Sequence, residues 1–144
     1  MLRFLSIVGL LVMVVGIAGL LKTGVLFSAQ PVTIVLQVFA VALLIWARIT
    51  FGRRSFHAAA NPTAGGLVTS GPYHYIRHPI YTAACLFGWA AIITHLSLLS
   101  VVFGVLMLVG SLVRMFAEEH LVRQTYPEYD EYSRVTKRML PGIF

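Results

Sequence analysis

Four apolar runs, each closed by a cation, a proline or a short polar cluster, constrain this chain more than any other feature. Phe4 to Leu21 follows Arg3, Val32 to Ala47 ends on Arg48, and Ile80 to Thr94 and Leu96 to Phe116 are separated only by His95 and Ser97. A soluble domain carries about 25% charged residues. Here 11% are charged and 58% are hydrophobic, with a mean hydropathy of +0.85, too few charges to cover a water-facing surface. The reading is an all-α integral membrane protein with about four transmembrane helices. At 144 residues it is one domain, with two N-terminal spans in residues 1–50 and a motif-bearing half over 67–141.

The first run resembles a signal peptide only superficially. Its apolar core exceeds the usual 7–15 residues and no small-x-small cleavage site follows, so it reads as a first span. Gly9, Gly16 and Gly19 permit close helix contact there. Lys22 to Pro31 is a short polar turn. Ile80 to Thr94 is short against the roughly 20 residues a perpendicular span needs, so the second pair reads as a tight hairpin whose first arm need not cross fully. Arg53, Arg54 and His57 can anchor a surface helix, and Asn61 to Gly66 is turn chemistry. Pro127 suits the first turn of a further helix, on which Tyr129, Tyr132, Val135 and Met139 share one face opposite Asp130, Arg134 and Lys137. This amphipathic helix is expected to lie on the membrane or fold over the site. Cys85 alone excludes an intramolecular disulfide.

The net charge of +6 flanks the apolar runs and forms no solvated basic face, which argues against nucleic acid as a partner. With four spans, Arg3, the 48–79 loop and the tail share one side. That side holds ten of the eleven Lys and Arg residues, with Lys22 on the other. Cations concentrate on the cytoplasmic side, so both termini and all three polar clusters are expected there.

The densest of those clusters is Gly71-Pro72-Tyr73-His74-Tyr75-Ile76-Arg77-His78-Pro79-Ile80-Tyr81. Pro79 lacks an amide hydrogen and disfavours helix at His78, which puts His78 just outside a helix start. Arg77 either binds an anion near the free first-turn amides or snorkels to lipid phosphate. The bland alternative is a capped, headgroup-anchored helix entrance. His74 and His78 have a metal-compatible spacing, but the flanking prolines break the helix it needs, and no metal is expected. Glu118 and Glu119, two of only five acidic residues, sit at the membrane boundary. Ionisable groups there are functional candidates, able to receive an ammonium group, a ribose diol or Arg114; the simplest reading is an i,i+4 pair of Arg114 with Glu118. Tyr126, Tyr129 and Tyr132 are belt residues or aromatic faces for a cation, and Arg134 and Arg138 orient an anionic substrate or pair with lipid.

In order, Leu67 and Gly71-Pro72-Tyr73-x-Tyr75-x-Arg77-His78-Pro79-x-Tyr81, then Glu118-Glu119-His120-Leu121, then Tyr126-x-x-Tyr129-x-x-Tyr132 and Thr136-Lys137-Arg138-Met139-Leu140-Pro141 resemble the isoprenylcysteine carboxyl methyltransferase family and its phospholipid methyltransferase relatives. The resemblance covers about residues 67–141. It implies an integral membrane enzyme that uses S-adenosyl-L-methionine, yields S-adenosyl-L-homocysteine, and encloses the cofactor between hairpin and tail. A lipophilic small molecule or lipidated substrate would arrive from the bilayer. It also implies cofactor contacts at Tyr73, His78, Pro79, Tyr81 and Glu119, with Glu118 beside them, and places Arg138 and Arg134 near the acceptor. The chain departs in being shorter than the eukaryotic enzymes, in Ala83, and in Tyr126-Pro127 where Phe-Gly is usual. The expected location is the plasma (inner) membrane of a prokaryote.

Methyl transfer from a sulfonium is an in-line displacement in which positioning and electrostatics supply most of the catalysis. A carboxylate acceptor is already ionised at neutral pH and needs only an arginine to aim it. An amine acceptor needs a base, for which Glu118 or Glu119 is the candidate. With no other base evident, isoprenylcysteine-type O-methylation of a carboxylate leads. Amine N-methylation, of a phospholipid or a small amine, and thiol S-methylation are the alternatives. A non-enzymatic scaffold or transporter-like protein is the competing class.

Overall fold

The computed structural model describes residues 1–52 and 66–144. The surface helix expected around Arg53, Arg54 and His57, and the turn from Asn61 to Gly65, lie outside the described residues. Among the described residues the regular elements are helices: α1 (Leu2–Lys22), α2 (Pro31–Phe51), α3 (Pro79–Thr94), α4 (Leu98–Thr125) and α5 (Tyr129–Val135), with 3₁₀ turns at Val25–Phe27 and Gly71–His74. Inside a bilayer every backbone amide must find its partner within the segment, which helices alone among open structures achieve. Three of them, α1, α2 and α4, are long and apolar enough to cross a membrane, and α3 is a shorter apolar helix. Large apolar side chains such as Leu11, Val15, Val38 and Phe39 point outward, as they do when the surroundings are lipid.

Packing pairs α1 with α4, α2 with α3, and α3 with α4. The glycines singled out in α1 serve the first of these contacts. A Cβ on Gly16 would lie 2.5 Å from the backbone nitrogen of Met107, and one on Gly110 would lie 2.4 Å from that of Met13. Gly9 meets Gly110 and Arg114 in the same way, so α1 and α4 touch backbone to backbone along several turns. Lipid offers no hydrophobic drive for helix pairing, and such close van der Waals contact takes its place. The second pair is tied by polar atoms. Thr33 Oγ1 donates to the Ala90 carbonyl at 3.3 Å and lies 2.8 Å from Thr94 Oγ1, while Gln37 Nε2 donates to the carbonyls of Leu26 at 2.9 Å and Phe87 at 3.4 Å.

The hairpin turn between α3 and α4 is as tight as expected. Ser97 caps α4 by accepting from the Ser100 amide at 3.1 Å, while Ser100 Oγ accepts from the Ser97 amide at 3.1 Å, a reciprocal box that satisfies two otherwise unpaired donors. Helix α4 continues through Thr125, so Glu118 and Glu119 lie in its C-terminal half, more than a turn before its end. One expectation needs correction. Helix α5 stops at Val135, so Met139 does not share a helical face with Tyr129 and Tyr132. The chain beyond Thr136 instead turns inward and buries Met139 in the core with Tyr81, Cys85 and Met115.

Gly16→Leu and Gly110→Leu are expected to lower the stability of the detergent-solubilised protein by about 1–3 kcal/mol or more, because backbone would have to move. The exposed Leu11→Ala is the control and should leave the thermal midpoint unchanged.

Candidate active site

Pro79 opens α3 at its first position and His78 is the N-cap residue, as the loss of the proline amide requires. The loop leading there is set against α2 by Gly71. Its φ of +58° and the 2.5 Å that would separate a Cβ from Thr50 Oγ1 both demand glycine. The segment Ile76–His78 then runs beside the tail. Ile76 and Lys137 form an isolated parallel bridge, and the amides of Arg77 and His78 donate to the carbonyls of Lys137 at 2.7 Å and Arg138 at 2.9 Å. Thr82 Oγ1 adds a bond to the Met139 carbonyl at 2.9 Å. The tail therefore folds back over the start of α3.

At the centre lies Glu119, only 4% exposed as a side chain. Its Oε1 accepts from Arg77 Nε at 2.9 Å and lies 3.2 Å from His78 Nε2, and its Oε2 accepts from Arg138 Nε at 3.1 Å. Arg77 is 7% exposed, and its Nη1 donates to the Ser133 carbonyl at 2.9 Å and to that of Thr136. Arg77 thus neither snorkels to lipid nor stands open to an anion. It clasps α4 to the tail. Arg138 is one-third exposed, with its guanidinium 5.3 Å from the ring centroids of both Phe116 and Phe144.

One helical position earlier a second carboxylate is held differently. Tyr81 Oη donates to Glu118 Oε1 at 2.6 Å and accepts from Arg114 Nε at 2.6 Å, and Arg114 Nε also reaches Glu118 Oε1 at 3.0 Å. The expected i,i+4 pair of Arg114 with Glu118 is present, and Tyr81 makes it a triad. The His78 and Tyr81 rings stack at 5.7 Å, which joins the two carboxylate clusters into one polar patch.

The structure brings together His78, Pro79, Tyr81, Glu118, Glu119 and Arg138. Tyr73 is buried at its edge, its ring 5.4 Å from Phe51 and its carbonyl accepting from Tyr132 Oη at 2.5 Å. Arg134 does not join. It is exposed on α5 and makes no hydrogen bond or ion pair among the described residues. Burial raises the phenols of Tyr73 and Tyr129 above the ordinary tyrosine range and pushes that of Tyr132 up to about 12. All three are hydroxyl donors at neutral pH. Sequence reasoning undervalued Arg77 and Arg114. An arginine inside an apolar run, as Arg114 is, is the signal that should have raised it, because such a charge survives only with a partner.

A profile of the family described as Phospholipid methyltransferase matches residues 29–129. The chain belongs to that family. Among curated proteins, the nickel-cobalt-cadmium resistance protein NccN of Alcaligenes xylosoxydans xylosoxydans is 33% identical over 82 residues, which cover 54% of this chain and 37% of that protein. The chain thus matches little more than a third of that relative's length. No solved structure matches it. The family match takes in α2, α3, α4 and both carboxylates, and ends at Tyr129. The tail that supplies Arg138 lies beyond it.

Removing one partner of a buried pair leaves a charge without compensation, at a cost of about 3–5 kcal/mol. Arg77→Ala should therefore lower unfolding free energy by that order, whereas Arg134→Ala should change it by less than about 0.5 kcal/mol. Denaturant titration of the two variants in one detergent checks this.

Proposed function

We propose that this membrane methyltransferase moves a methyl group from S-adenosyl-L-methionine to a lipophilic acceptor that enters from the bilayer, and that the acceptor atom is a carboxylate oxygen. When bound, the cofactor supplies a sulfonium methyl open to in-line attack. The donor set suits it. Glu118 and Glu119 carry the negative charge an ammonium group or ribose hydroxyls would meet, with Tyr81 and His78 rings stacked beside them. Tyr129 Oη is, among the described residues, a buried polar atom without a hydrogen bond of good geometry. On this reading His78, Pro79, Tyr81 and Glu119 hold the cofactor, Tyr73 supports them through Tyr132, and Glu118 fixes Tyr81.

The observation that carries the choice of acceptor is that cationic and phenolic donors engage both carboxylates. Glu119 is engaged by Arg77, His78 and Arg138, and Glu118 by Tyr81 and Arg114. A carboxylate engaged by cationic donors on both oxygens, or by a phenol and a guanidinium on one, is a poor general base, because each donor stabilises the charged form. An amine acceptor would need such a base; a carboxylate needs only orientation. Arg138, the most exposed of the site arginines, is placed to aim it, and Arg134 lies outside the cluster as a less direct candidate. The family's description favours a second reading, N-methylation of a phospholipid amine. By the distribution of cations the site opens toward the cytoplasm of a prokaryotic cell.

The test is transfer of isotopically labelled methyl from S-adenosyl-L-methionine into membrane lipid extract by protein in nanodiscs, followed by mild alkali. A methyl ester releases labelled methanol, whereas an N-methyl group stays on a non-volatile product. The expected result is alkali-labile label, reduced about 10- to 100-fold in kcat/KM by Arg138→Ala, the loss expected for a hydrogen bond to a charged group. Alkali-stable label would overturn the carboxylate reading in favour of an amine or thiol acceptor, and no incorporation would remove the enzymatic one.

A further inference from the structure

Tyr129 is the first residue of α5 and is only 4% exposed. Its ring is fixed on two sides: the Arg123 guanidinium lies 5.4 Å above it and the Tyr132 ring meets it at 6.1 Å, 65° from parallel. Its backbone is fixed as well, the amide donating to the Tyr126 carbonyl at 3.0 Å. A ring held this firmly cannot swing its hydroxyl to water. Yet among the described residues Tyr129 Oη is the one buried side-chain polar atom with no hydrogen-bond partner. Glu119 acts on it through its charge and at hydrogen-bonding range, but no bond of proper geometry joins them.

Buried hydroxyls are nearly always bonded, and an orphan calls for a reason. Tyr132 shows the contrast three residues on, with its hydroxyl given to the Tyr73 carbonyl. Glu119 completes the picture from the other side. Its two oxygens offer about four acceptor directions, and three donors are in place: Arg77, His78 and Arg138. One acceptor direction and one phenolic donor thus remain beside each other in a water-poor site. A group that both accepts and donates, a hydroxyl, satisfies both at once. An ammonium has only donors and would leave the phenol's own proton unused.

We infer that Tyr129 is a ligand-binding residue whose hydroxyl, together with Glu119, receives one hydroxyl of a vicinal diol, the ribose of the nucleoside cofactor. The inference rests on the cofactor reading proposed above and adds to it a contact from the tail, so that binding the cofactor also fixes α5.

Calorimetric titration of S-adenosylhomocysteine into the full chain in nanodiscs tests it without any turnover. Tyr129→Phe removes only the oxygen. It should weaken binding by about threefold to tenfold, the value of one neutral hydrogen bond, while the thermal midpoint of the ligand-free protein stays the same or rises, since an unsatisfied buried group is lost. Tyr132→Phe should lower that midpoint, because its hydroxyl is already used. The 2′-deoxy and 3′-deoxy analogues of S-adenosylhomocysteine provide the second arm. One of them should bind wild type more weakly than the parent compound does, yet bind wild type and Tyr129→Phe equally, because the hydroxyl that meets Tyr129 is gone. Equal affinity of wild type and Tyr129→Phe for the parent overturns the contact and leaves the cofactor reading intact. A lower midpoint for ligand-free Tyr129→Phe with unchanged affinity also overturns it, and assigns the hydroxyl to a structural water. No binding by folded wild type overturns both.

Discussion

A single buried carboxylate holds the functional half of this protein together. Glu119 lies deep in α4, yet the groups that neutralise it come from elsewhere: Arg77 and His78 from the loop before α3, and Arg138 from the tail. A buried charge is tolerated only when paired and hydrogen-bonded. Satisfying Glu119 therefore forces three segments, separated by up to 61 positions along the chain, to converge. The amide bonds from Arg77 and His78 to the Lys137 and Arg138 carbonyls follow from that convergence and reinforce it. The same residues are those expected to meet a cofactor, so fold and site share one set of interactions.

The apolar half supplies the rigidity on which this depends. Backbone contact between α1 and α4 at Gly9, Gly16 and Gly110 sets the depth of α4, and hence the height at which Arg114, Glu118 and Glu119 emerge. The Ser97–Ser100 box fixes where α4 begins. Threonine and glutamine bonds set α2 against α3, and Gly71 presses the motif loop onto the end of α2. A short α3 is consistent with this arrangement. Its N-terminus need reach only the level of Glu119, where the tail closes over it, and Met139 fills the space below as part of the core.

Much of this was legible in the sequence because local chemistry decided it. Hydropathy marked the four helices, Pro79 put His78 at the N-cap, and the α1 glycines announced a close contact. The order of motifs named the family that the profile then matched. What stayed hidden depended on tertiary partners. The periodicity of Tyr129, Tyr132, Val135 and Met139 suggested a helix to the end of the motif, but pairing with Ile76 to His78 draws the chain out of helix after Val135. Arg77 looked like a lipid or anion ligand because nothing local shows that Ser133, Thr136 and Glu119 surround it. Arg138 and, less directly, Arg134 were both expected near the acceptor; the fold exposes Arg134 and brings Arg138 to Glu119.

Hydrogen exchange at the amides of Arg77 and His78, followed in nanodiscs for wild type and Glu119→Gln, tests the organising role of this carboxylate most directly. Both amides bond to tail carbonyls, so they report whether the tail stays seated, and exchange reads local opening without requiring global unfolding. If Glu119 holds the three segments together, neutralising it should accelerate exchange at both positions by about 10- to 100-fold, equivalent to about 1.4–2.7 kcal/mol of local opening energy, while amides in the middle of α1 keep their protection. Unchanged protection at Arg77 and His78 would mean that the backbone bridge and Met139 seat the tail unaided, and would contradict the account.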